Sequence, residues 1–146
     1  MMSTRLDFAK ASPEALQAML ALEAAVARSG LEKPLCELVR LRASQINGCG
    51  YCVDMHATDA RKGGETERRL SAVAAWQETP FFTPRERAAL AWTEAVTLIA
   101  QTHAPDDVYA GLRAHFSERE AVELTLLINA INSWNRLAIA FRKQPE

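Results

Sequence analysis

The sequence predicts an all-α fold: a single domain, residues 1–146, of about six or seven helices. Three observations lead there. Aromatic residues make up only 7% of the chain while alanine is abundant, a composition suited to closely packed helices. Apolar residues recur at helical spacing in one segment after another, and no stretch alternates with strand period for long. Segment starts carry serine or threonine before proline or glutamate, the residues that cap helix N-termini.

The elements follow from those signals. Residues 1–11 show no clear periodicity and read as an arm. Ser12-Pro13 caps a helix whose Leu16, Met19, Leu20, Ala24 and Ala27 share helical spacing, stopped by Gly30. Pro34 opens a second helix with Leu35, Leu38 and Leu41 inward and Arg40 and Arg42 towards water, ended by Asn47-Gly48. A third helix runs from about Cys49 to Lys62 before Gly63-Gly64, and a fourth from Thr66 to Gln77. Thr83-Pro84-Arg85-Glu86 is a capping box for a helix reaching about Gln101. Pro105 starts a short helix through Phe116. Ser117-Glu118-Arg119-Glu120 is a second capping box, opening the longest helix, to about Arg142. Apolar residues from Val122 to Phe141 cover nearly its whole circumference, so it must be surrounded, either in part by another subunit or simply as the central helix of the chain.

Composition narrows the function. A net charge of -1 gives no basic field for nucleic acid or an anionic membrane. No apolar run approaches the roughly 18 residues of a membrane span. The N-terminal MMSTRLDFAKAS lacks the apolar core of a signal peptide, so the expected compartment is the cytoplasm. In a reducing cytosol a cysteine pair is expected to be redox-active or metal-binding rather than a structural staple. Cys36 stands apart from the pair and reads as a small buried hydrophobe.

The chemistry concentrates in ELVRLRASQINGCGYCVDMH, from Glu37 to His56. Cys49, Cys52 and His56 stand at spacings of three, four and seven, which is one helical face. The Asn47-Gly48 break puts Cys49 near a helix N-terminus, where exposed amides favour a thiolate. His56 can take and return a proton near Cys52, and Glu37 joins the same pocket if the two helices pack as a hairpin. Two such thiols can cycle between dithiol and disulfide, by attack on a peroxide oxygen or on another disulfide. Two cysteines and a histidine could also hold zinc, but a tetrahedral site needs a fourth ligand and no second CxxC or HxxxH supplies one. Asn129, Asn132 and Arg136 share a face of the last helix and read either as pocket lining or as a hydrogen-bonded polar seam. No glycine-rich nucleotide fingerprint is present, and no cofactor or metal is expected.

These residues resemble the AhpD-type alkylhydroperoxidase group of the carboxymuconolactone decarboxylase family. The matching elements are Glu37, Cys49-Gly50-Tyr51-Cys52 and His56, with Ile131-Asn132-Ser133-Trp134-Asn135-Arg136-Leu137 similar to a segment of the family's last helix. The resemblance implies an all-helical trimer or hexamer that reduces a hydroperoxide. It makes Cys52 the peroxidatic thiol, Cys49 the resolving thiol, and Glu37 with His56 the proton relay. It also implies a thiol, or a thioredoxin- or lipoyl-type protein, as reductant. The helix dipole favours Cys49 as the more acidic thiol, whereas proximity to His56 favours Cys52. Tyr51 departs from the pattern, since the best-known members carry histidine there, and a phenol with a pKa of about 10 is no base at neutral pH. An alternative function on the same residues is a dithiol–disulfide reductase or redox adaptor acting on a partner protein.

Overall fold

The computed structural model describes residues 2–146, and Met1 of the expected arm lies outside them. Among the described residues nine α-helices, one 3₁₀ segment and no strand follow in order. They are α1 (Phe8–Ala11), α2 (Pro13–Ala27), α3 (Lys33–Asn47), α4 (Gly50–Lys62), α5 (Glu67–Ala72), the 3₁₀ segment Val73–Glu78, α6 (Pro84–Thr97), α7 (Ile99–Thr102), α8 (Asp106–Arg113) and α9 (Glu118–Ala140).

The starts are where capping chemistry puts them. Ser12, Thr66, Thr83 and Ser117 each accept a backbone N–H through the side chain, and Thr83 and Ser117 complete reciprocal boxes with Glu86 and Glu120. Each such cap stabilises its helix by about 1 kcal/mol. Three differences from the sequence-based expectation have local causes. The N-terminal arm contains a helical turn, α1, because Asp7 accepts from the amides of Ala9 and Lys10. The fourth helix tightens after Ala72 and breaks at Ala75 (φ -124°, ψ 33°), which turns Trp76 inwards, where its indole donates to Glu94 at 2.8 Å. The helix after Thr83 ends at Thr97, and a new turn begins beyond Leu98, held by Thr102, whose hydroxyl donates to the Ala95 carbonyl.

Helix α3 lies at the centre because it has two apolar faces. Leu35 and Val39 join Val26, Leu112, Leu124, Leu127 and Ile128 in one buried cluster. Leu38 and Leu41 join Leu70, Val73, Trp76, Phe82 and Leu90 in a second. Its third side carries Glu37 and Arg40 to the candidate site. The long α9 packs on α2, α3, α4, α6 and α8, so most of its apolar circumference is covered within the chain. Val122, 70% exposed, and Ile139 remain uncovered. No described helix is long and apolar enough to cross a membrane.

Candidate active site

The α3–α4 junction positions the cysteine pair. Gly48 takes the left-handed conformation (φ 72°, ψ 31°), a region that glycine enters without a Cβ penalty. The reversal returns the Gly48 N–H to the Gln45 carbonyl and the Cys49 N–H to that of Ser44, at 3.2 and 3.0 Å. Cys49 thereby becomes the N-cap of α4, its sulfur accepting from the Cys52 amide at 3.3 Å. Cys49 and Cys52 are joined as a disulfide with a Cα–Cα distance of 5.3 Å. Both are buried, 1% and 2% exposed.

One turn further along α4, His56 Nδ1 lies 3.0 Å from Glu37 Oε2. The hairpin of α3 on α4 thus brings Glu37, Cys52 and His56 to one pocket, with Cys49 joined to Cys52 behind it. Burial pushes the Glu37 carboxyl up, but the His56 hydrogen bond, the imidazole charge and Arg40 outweigh it, and the group sits below the usual carboxylate range. An ionised Glu37 can only accept, so the proton of this hydrogen bond is assigned to Nδ1.

That pocket, of about 460 Å³, is lined by Glu37, Cys52 and His56, by the apolar Phe8, Leu16, Met55, Trp134 and Ala138, and by Glu23, Arg40, Asp59 and Lys143 among others. Cys49 does not line it; that residue faces two shallower depressions on the other side of the disulfide. Tyr51 stands between the two sides, with the Lys143 ammonium 4.6 Å from its ring centroid. The N- and C-terminal segments close the rim together: the Arg5 amide donates to the Phe141 carbonyl at 2.9 Å, and Phe8 packs on Phe141.

Arg40 and Arg42 reach water as expected, though each is only partly exposed and is engaged by carboxylates. Arg40 donates to Glu37 Oε1 at 2.9 Å, and Arg42 donates to Glu94 at 3.0 Å. The carboxylates that hold them include Glu23 and Glu94, from other helices, which no local pattern announces. The spacing of three between Glu37 and Arg40 was the one available signal. On α9, Asn132 belongs to a buried polar seam, whereas Asn129 and Arg136 are exposed. Asn47 donates to both Asn132 and Asn135 at 2.9 Å, and Asn135 donates to Ser44 at 3.0 Å. Asn135, part of the segment that resembles the family's last helix, is fully buried and ties the end of α3 to α9. Cys36 is buried, and burial pushes its thiol pKa up, as fits a packing role.

Glu37, His56 and Asp59 present ligand atoms within 4.8 Å of one another, so a divalent cation could be held by those three. Such an ion would compete with the Arg40 guanidinium for Glu37 and with the Glu37–His56 hydrogen bond. Glu37 and His56 are already satisfied by one another, and the third group, Asp59, is exposed.

The sequence profile of the carboxymuconolactone decarboxylase family matches residues 13–95. The chain is 44% identical over 139 residues to the uncharacterized protein YdfG of Bacillus subtilis, covering 95% of each. A crystal structure from Agrobacterium tumefaciens superposes with a TM-score of 0.96 at 51% identity, covering 99% of both chains. It is described as a protein of unknown function and a candidate antioxidant defence protein AhpD. The debrominase Bmp8 superposes with a TM-score of 0.81 over 92% of this chain and 72% of its own, at 24% identity, a likeness of fold alone.

Proposed function

Since the chain belongs to the carboxymuconolactone decarboxylase family and has an AhpD-like fold, we propose that it is a thiol-dependent hydroperoxide reductase serving antioxidant defence. One observation carries this reading: Cys52, paired with Cys49, borders an apolar pocket that also holds the hydrogen-bonded Glu37–His56 pair.

In the proposed reaction the Cys52 thiolate attacks the terminal oxygen of a hydroperoxide. The O–O bond breaks, its electron pair leaves with the alkoxide, and His56 delivers the proton that makes it an alcohol. Cys52 is left as a sulfenic acid. Cys49 attacks that sulfur, the S–O bond breaks, and the hydroxide leaves as water with the Cys49 proton. The dithiol has lost two electrons and the peroxide has gained them. Glu37 holds the Nδ1 proton throughout, so Nε2 does the exchanging. A reductant thiol then opens the disulfide and returns the pair to its dithiol form. Burial of both sulfurs favours a slender group, such as a small thiol or a lipoyl-type arm, over the flat face of a globular partner. It equally disfavours the alternative of a reductase acting on disulfides of folded proteins.

The experiment is single-turnover mixing of the pre-reduced protein with an organic hydroperoxide. Loss of two thiols for each peroxide consumed is the expected stoichiometry. Unchanged thiols beside intact peroxide would end the proposal.

A further inference from the structure

We propose that Arg40, held between Glu23 and Glu37, is a positioning residue that aims the second carboxylate oxygen of Glu37 at His56. The inference deepens the proposed reaction and rests on that reading of the site.

The geometry is a chain of four contacts across four helices. Trp134 of α9 donates its indole N–H to Glu23 Oε1 at 2.9 Å. The other oxygen of Glu23, from α2, lies 3.6 Å from Arg40 Nη2. Arg40 Nη1 donates to Glu37 Oε1 at 2.9 Å, and Glu37 Oε2 meets His56 Nδ1 at 3.0 Å. A carboxylate rotates about its last bond unless both oxygens are engaged. Arg40 engages one and so dedicates the other to the imidazole. The planar guanidinium suits this task, because its nitrogens can serve two carboxylates at once where an ammonium offers a single point. The Arg40 side chain is only 18% exposed, and its backbone is fixed too, since the Ser44 hydroxyl donates to the Arg40 carbonyl at 2.7 Å.

The charged groups around Glu37 explain why the clamp is needed. Arg40 and Lys33 come from its own helix, His56 and Asp59 from α4, and Glu65 from the turn beyond. Burial opposes ionisation of Glu37, the His56 hydrogen bond and charge oppose that penalty most, and Arg40 is the guanidinium in direct contact that adds to them. Glu23 keeps that cation in place if Glu37 is protonated.

The test is a ¹³C titration of the Glu37 carboxyl in the full-length protein, followed in wild type, Arg40→Met and Arg40→Lys. The pH dependence of thiol alkylation is measured on the same reduced samples. Arg40→Met is expected to move the Glu37 midpoint upward and to slow Cys52 alkylation at neutral pH. Arg40→Lys is expected to restore the charge but only part of the alkylation rate. A folded Arg40→Met protein with both profiles at their wild-type positions overturns the inference, as does complete rescue by lysine. If Arg40→Met does not fold, Arg40→Lys alone decides: a wild-type alkylation profile overturns the positioning role, and a partial loss supports it. Wild-type thiols that titrate like free cysteine would instead sink the catalytic reading, leaving the Glu37 titration to report on Arg40 by itself.

Discussion

His56 and Glu37, nineteen residues apart in sequence, meet through Nδ1 and Oε2 at 3.0 Å inside the pocket that Cys52 borders. In the proposed reaction this contact assigns the proton to Nδ1 and leaves Nε2 to move one. Replacing His56 by glutamine is expected to slow hydroperoxide reduction by roughly a hundredfold to ten-thousandfold, the usual worth of a positioned acid–base group. Glu37→Gln is expected to cost less, because the imidazole remains. Stopped-flow consumption of hydroperoxide by the pre-reduced variants measures both.

Acid stability follows from the carboxylates held below their ordinary range. In Glu86, burial pushes the carboxyl up, but the Arg69 hydrogen bond, the Thr83 contacts and the Arg69 charge outweigh it. A folded-state pKa below the unfolded value of about 4.3 adds stability that is complete above that value and is lost as pH falls through the folded one. Glu37 has the same sign. Urea unfolding at a series of pH values is expected to show stability falling below about pH 4.3. Glu86→Gln is expected to be less stable at neutral pH and to show a shallower acid slope.

The polar seam under the site is expected to matter for both fold and reactivity. Asn135→Ala would remove one of the two acceptors of the Asn47 amide and the donor to the Ser44 hydroxyl, at a cost of about 1–3 kcal/mol. Those two groups keep Asn132 and the Arg40 carbonyl as partners. Because Asn47 immediately precedes the Gly48 turn, the reduction potential of the Cys49–Cys52 pair is expected to shift as well. Denaturant melts and thiol-redox titration read the two effects separately.

Assembly with further copies is proposed from the apolar surface that one chain leaves open, and the family resemblance implies a trimer or hexamer. Val122 is largely exposed and lines a groove with Tyr109 and Leu126. A second copy is the proposed occupant, since α9 presents this apolar edge outwards. Light scattering behind a sizing column is expected to give a multiple of the 16.1 kDa chain, reduced by Val122→Lys. A monomeric mass for the native protein would overturn the proposal.

Much of this was legible in the sequence, and what was hidden has a common cause. Ser12, Thr83 and Ser117 act through residues three positions away, so their helices announce themselves locally. Gly48 and the Cys49–Cys52–His56 face are likewise short-range patterns. The break at Leu98 has no glycine or proline at it, and the kink at Ala75 follows from the burial of Trp76 against a later helix. Arg40 and Arg42 looked like solvent-facing charges because Glu23 and Glu94, which complete their pairing, come from elsewhere in the chain. Asn135 stood out only through the family resemblance, and its partners Asn47 and Ser44 come from α3, far away in the sequence. Partners set by tertiary packing leave no periodic trace.

The role assigned to Cys52 is the central claim, and trapping its oxidised form tests it most directly. Cys49→Ser protein, reduced and then mixed with an organic hydroperoxide, is treated with a sulfenic-acid-specific nucleophile and mapped by mass spectrometry. A stoichiometric adduct on Cys52, and its disappearance in the Cys49→Ser/Cys52→Ser double variant, is the expected result. Peroxide consumption with no adduct on Cys52, or a Cys52→Ser protein whose Cys49 is oxidised at the wild-type rate, would contradict it.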